Sequence, residues 1–160
     1  MRRGIIVAGL LTLGACQGGG SAVAGETAVA AKVVVTVHTA TGEHRFNVDL
    51  AETEAKQRQG LMYRTSLAAD GGMLFAPYPP EGGAPREASF WMKNVPIPID
   101  IIFIRADGTI ARIAENAVPL VEDHIRSGEP IAAVLEIAAG RSAELGISPG
   151  DKVSWPGQRK

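Results

Sequence analysis

Residues 87–105 read EASFWMKNVPIPIDIIFIR, and the fold class follows from how this stretch divides at its prolines. Ahead of them, strand alternation sets Ala88, Phe90 and Met92 on one face and Ser89, Trp91 and Lys93 on the other. Pro96 and Pro98 remove backbone donors and fix φ, so residues 95–98 predict a turn or crossover. Residues 99–104 (IDIIFI) then form the best strand pattern in the chain, with Asp100 on the face of Ile102 and Ile104. Burying Trp91 would remove roughly 150–250 Å² from water, so it is expected in the core. An isolated carboxylate on an apolar face costs several kcal/mol, so Asp100 is expected at the sheet rim or paired.

The flanking sequence is built of short elements. Residues 32–38 (KVVVTVH) are β-branched, and Phe46, Val48 and Leu50 alternate with Arg45, Asn47 and Asp49. A turn at residues 39–42 joins these two strands into a hairpin. Thr53 caps a short helix through Arg58, which Gly60 stops. Met73-Leu74-Phe75 reads as a buried strand, and residues 77–85 (PYPPEGGAP) as an exposed loop. Asp107-Gly108 signals a tight hairpin leading into residues 109–113. Residues 115–130, with Pro, Gly and mixed charge, read as a long surface loop. Residues 131–137 and 152–155 read as strands, with one helical turn at 140–145. Many short strands and two short helices predict a mostly-β, antiparallel sandwich or small barrel.

The N-terminus speaks to location. Met1-Arg2-Arg3 is followed by an apolar run, residues 4–13, too short to span a bilayer as a permanent helix. Leu13-Gly14-Ala15-Cys16 resembles the lipobox of bacterial lipoproteins, in which the cysteine becomes the lipidated first residue. A plain secretory signal is the alternative. The expected organisation is a signal peptide over 1–15, lipidated Cys16 with a flexible tether to 31, a β domain over 32–155 and a tail over 156–160. Lipoproteins retained in the inner membrane usually carry Asp after the cysteine, so the resemblance, with Gln17 there, implies an outer-membrane destination facing the periplasm. Cys16 is the only cysteine, so the domain has no internal disulfide. Net charge is −1, and −3 once Arg2 and Arg3 leave with the leader, with basic residues scattered. Nucleic acid is therefore not expected as a partner. The expected partners are the bilayer, through acylated Cys16, and a small polar ligand.

Arg58-Gln59-Gly60-Leu61-Met62, Gly72-Met73-Leu74-Phe75, Phe90-Trp91-Met92-Lys93-Asn94, Pro98-Ile99-Asp100 and Leu135-Glu136, with Gly146 and Gly150-Asp151, resemble the DUF192 family over residues 33–153. The resemblance implies a compact, mostly-β domain, often exported or lipid-anchored; it does not imply an activity. Val95 stands where the family usually carries Thr after Lys-Asn, and the 77–87 loop looks longer than usual.

Trp91, Lys93, Asn94, Asp100 and Glu136 are the candidate ligand-binding residues, polar groups and an indole set among apolar strands. Two readings stay open for them. They bind a small polar ligand, a sugar or peptide end, with Trp91 stacking beside it; or Lys93 and Asp100 simply pair across the 95–98 turn. Met62, Met73 and Met92 suit Cu(I) chemically, but methionine beside leucine is routine core filling. His38 and His44 flank a turn without a third ligand, so neither a metal nor a cofactor is expected. The chain has no Gly-x-Ser-x-Gly, His-Glu-x-x-His or Walker loop, and no catalytic cysteine. The leading expectation is thus a lipid-anchored envelope binding or accessory domain. The rival is an envelope hydrolase with Asp100 and Glu136 as paired carboxylates.

Overall fold

The computed structural model describes residues 31–158; the expected signal peptide, Cys16 and nearly all of the expected tether lie outside them. Nine strands and two short helices follow in the order β1 (Lys32–Thr39), β2 (Gly42–Ala51), α1 (Glu54–Gln59), β3 (Gly72–Phe75), β4 (Arg86–Phe90), β5 (Ile99–Ile104), β6 (Ile110–Ala117), β7 (Ile125–Ile131), β8 (Ala133–Ala138), α2 (Arg141–Glu144) and β9 (Lys152–Ser154). Seven strands form one sheet in the order β6-β5-β8-β3-β2-β1-β9, and β4 and β7 form a second. The large sheet curls into a half-barrel. Its outer strands meet at one point, where Thr109 bridges Lys152 and the Ile110 amide donates to the Asp151 carbonyl at 2.8 Å.

The two faces of this sheet carry separate cores. One face gathers Val35, Val37, Phe46, Val48, Leu74, Ile102, Ile104, Leu135 and Val153 from strands right across the sheet, inside the curl. The other gathers Met73, Phe75, Ile101, Phe103 and Val134, covered by Ala88, Met92 and Ile131 from the small sheet and its flanks. With both faces covered, all six residues of β5 are buried, which is why it reads as a continuous apolar run. Met62, Met73 and Met92 all belong to the second core.

The expected hairpin forms with Thr39 opposite Gly42, and Thr53 caps α1 by accepting from the Lys56 amide at 3.3 Å. Three expectations are overturned. First, the architecture is not wholly antiparallel: β2 and β3 run parallel, Asp49 beside Met73, joined by a crossover through α1. Second, residues 115–130 are not one loop. β6 runs on to Ala117, and β7 pairs with β4 across Ser89–Arg126 and Glu87–Pro130. The alternation was hidden because Ser127 occupies a buried position, its hydroxyl accepting from the Ala88 amide at 2.8 Å and donating to the Glu129 carbonyl at 2.7 Å. Third, Trp91 is not in the core; it follows β4 and is 41% exposed.

Candidate functional site

Three loops meet beside the small sheet: residues 61–64, 91–97 and 118–124. Main-chain hydrogen bonds tie them together, from Tyr63 to Asn94 (2.7 Å), from Leu120 to Val95 (3.1 Å) and from Met92 to Val121 (2.9 Å). Tyr63, Asn94 and Leu120 take positive φ, at 65°, 57° and 63°. Such backbone costs of order 1 kcal/mol or more for a non-glycine residue and gathers at functional sites. Asparagine tolerates this conformation better than most residues, which accounts for Asn94. Its side-chain amide also donates to the Tyr63 hydroxyl at 3.1 Å. Five of the six exposed large apolar side chains among the described residues lie on these loops: Tyr63, Trp91, Val118, Leu120 and Val121.

Next to this cluster a cavity of about 350 Å³ opens between α1, the 76–80 loop and β4. Gln57 fixes the first two walls to each other, its side-chain amide donating to the Pro77 carbonyl at 2.8 Å and the Ala51 carbonyl at 3.0 Å. Phe75, Tyr78 and Phe90 line the interior, with Phe75 and Phe90 edge-to-face at 5.1 Å and Tyr78 and Phe90 at 6.0 Å. At the mouth Trp91 stacks on His124, centroids 6.2 Å apart and planes 15° from parallel. His124 is held in turn by Ser89, hydroxyl to Nδ1 at 2.8 Å. Lys93 Nζ lies 5.2 Å from the Trp91 ring centroid, a cation–π contact, and pairs with Glu122 at 3.3 Å. Arg58 and Arg86, also at the mouth, pair with Glu54 at 2.5 Å and Glu81 at 2.6 Å.

Glu136 lines the same cavity from β8, only 5% exposed. Met73 and Ile101 stand opposite it on the neighbouring strands, and no hydrogen bond or charge from a described residue acts on its carboxyl, only desolvation. Burial without a partner disfavours the charged form and pushes this carboxyl up to about 8. At neutral pH it is therefore mostly protonated, an uncommon state for a glutamate. Gly72 makes the placement possible: a Cβ there would stand 2.0 Å from the Glu136 backbone oxygen, so only glycine lets β3 lie this close to β8.

Asp100 is elsewhere. It pairs with Ile137 in the sheet register while Glu136 pairs with Ile101, so the two carboxylates project from opposite faces. Asp100 is fully buried and accepts from the amides of Asn116 (2.9 Å), Gly140 (3.1 Å) and Ser142 (2.9 Å). It thereby fastens the end of β6 and the start of α2 to β5. The expected Lys93–Asp100 pair does not form, since Lys93 is bonded to Glu122. Of the five candidate residues, Trp91, Lys93 and Glu136 line one cavity, Asn94 holds the loop beside it, and Asp100 lies on the opposite face, bonded to three amides.

The sequence reading did not assign Phe75, Tyr78, Arg58, Arg86 or His124 to the site. Phe75 and Arg58 lay within the motif blocks, but Tyr78 and His124 sit in segments with no periodicity; the Tyr78 amide is held by the Ala132 carbonyl, and His124 is brought in by β4–β7 pairing. Among the described residues no group of three or more His, Cys, Asp and Glu side chains is arranged to hold a metal.

A curled β sheet with a two-stranded annex, and a partly apolar cavity beneath the annex, define a small, mostly-β scaffold. Residues 35–155 match the model of the DUF192 family, described as an uncharacterized ACR, and the chain belongs to that family. No curated protein matches it. Similar solved structures include two bacterial proteins. One, a Sinorhizobium meliloti 1021 protein provisionally named as a transcription regulator, is 46% identical at a TM-score of 0.73, over 79% of this chain and 95% of its own. The other, a Novosphingobium aromaticivorans DSM 12444 protein of unknown function, is 45% identical at a TM-score of 0.73, over 86% of this chain and all of its own.

Proposed function

We propose that this chain is a binding or accessory domain of the bacterial envelope, anchored through lipidated Cys16, that holds a small polar ligand in the cavity between Trp91 and Glu136. The observation that carries the ligand reading is Glu136 itself. A carboxyl buried in an apolar cavity without a partner destabilises the fold, and a ligand that satisfies it recovers that energy. Trp91, half exposed and backed by His124, offers a flat face for stacking at the mouth. The anchoring rests on the Leu13-Gly14-Ala15-Cys16 motif and its apolar leader.

The rival hydrolase draws no support from the geometry, because Asp100 and Glu136 do not share a cleft. Nor does the regulator name of the Sinorhizobium relative find a basic surface to act through. Nine of the twelve Lys and Arg residues between 31 and 158 are already in ion pairs.

Two measurements test the proposal. Thermal shifts of the purified protein against amino acids, short peptides and sugars should reveal at least one stabilising class, lost in Trp91→Ala. No stabilisation by any of them removes the ligand reading. Palmitate labelling in the producing bacterium should mark the chain and disappear in Cys16→Ser; unlabelled protein in the cytosol removes the anchor.

A further inference from the structure

The cavity pairs an acid with aromatic walls. Glu136 is 95% buried, lacks a partner and lines the cavity, while Phe75, Tyr78 and Phe90 line its sides and Trp91 its mouth. Ring faces carry negative potential, and a carboxylate supplies a full negative charge. The charged groups bordering the cavity come from each element around it: Glu54 and Arg58 on α1, Arg86 on β4, Lys93 beyond it and the His124 imidazole. All three mouth cations are neutralised by their own carboxylates, Glu54, Glu81 and Glu122. The Glu136 carboxyl is the one acid at the cavity without a cation beside it.

We infer that the cavity receives an organic ammonium group, seated against the Glu136 carboxylate and enclosed by Phe75, Tyr78, Phe90 and Trp91, an assignment that rests on the ligand-site reading above. A neutral guest of the same shape would leave Glu136 protonated and gain only apolar contact. An anionic group deep in the cavity would oppose Glu136 once ionised.

The assignment has a proton signature. Glu136 stands protonated below about pH 8 in the free protein. An ammonium binds the ionised form, so binding below that pH expels a proton and the apparent affinity climbs about tenfold per pH unit, levelling above it.

The experiment is calorimetric titration of the protein with choline and butylammonium against their uncharged isosteres 3,3-dimethyl-1-butanol and 1-butanol, at pH 6.5, 7.5 and 8.5. Two buffers of different ionisation heat count the proton. The expected result is at least ~10-fold preference for the cations at pH 8.5, proton release at pH 6.5, and loss of both in Glu136→Gln. The Gln variant resembles the protonated acid in shape, so it keeps the fold, and its thermal melt checks this. Equal affinity for cations and isosteres without pH dependence, or an unchanged Glu136→Gln, overturns the ammonium assignment and leaves the pocket standing. No heat from any of the four, together with no stabilisation in the thermal-shift screen, overturns both.

Discussion

Asp100 on β5 and Glu136 on β8 stand one register step apart on hydrogen-bonded strands, yet they project from opposite faces of the sheet. Both are buried acids. Asp100 is enclosed by three backbone amides that reach it from β6, from the residue before α2 and from α2 itself. Glu136 lines the cavity with no hydrogen bond or charge from the protein, and burial alone acts on its carboxyl. Asp49 is an intermediate case: burial works to raise its carboxyl, but hydrogen bonds and charge from Lys32 and Arg64 outweigh it and hold it below the usual value. A buried acid that is fully hydrogen-bonded is a fastening, because removing it orphans the donors. An acid left without partners is a cost, and a cost of that kind is tolerated where something outside the chain relieves it.

The sharpest way to break this contrast is Asp100→Ala. Three amides lose their acceptor, and stability should fall by about 3–5 kcal/mol in chemical denaturation. A loss under ~1 kcal/mol would mean that Asp100 is no more a fastening than Glu136 is.

Glu136→Gln should act in the opposite direction. A carboxyl whose folded pKa is raised to about 8 carries no penalty below its ordinary value of 4.5. It becomes progressively destabilising as pH rises between the two and is fully so above the upper one. The variant should therefore be more stable than the parent by roughly 2–4 kcal/mol at pH 7 and indistinguishable near pH 4. Parallel unfolding curves with no pH-dependent gap would show that Glu136 has a partner after all.

Gly72→Ala probes the contact that sets Glu136 in place. The added methyl drives β3 from β8, for about 2 kcal/mol of destabilisation and weaker binding of any cavity ligand. Trp91→Ala should barely register in stability, under about 1 kcal/mol, because the indole is already exposed. Its effect belongs to ligand binding, which separates the site from the scaffold.

Much of the fold was legible in advance, and for local reasons. The Thr53 cap, the Gly60 stop, the β1–β2 turn and the continuous apolar run of β5 are each written in neighbouring residues. The parallel β2–β3 pairing was not, because parallel register is set by a crossover of more than a dozen residues rather than by any pattern inside either strand. β7 was hidden because its inward positions include Ser127, whose fitness depends on a donor 39 residues away. At the site the limit was one of faces. Trp91, Lys93, Asp100 and Glu136 all stood out as polar or amphipathic groups among apolar neighbours. Which of them share a side depends on how β5 and β8 align, and a one-residue step in that alignment divides Asp100 from Glu136.

The three main-chain bridges among residues 61–64, 91–97 and 118–124 bear on motion as well as shape. Segments stitched at Tyr63–Asn94, Val95–Leu120 and Met92–Val121 must loosen or tighten in concert, since freeing one forfeits amide bonds to the others. A guest gripping the indole of Trp91 would therefore slow amide exchange at Tyr63 and Leu120, residues it never touches. Occupancy of a recess would thus be legible on the outer surface.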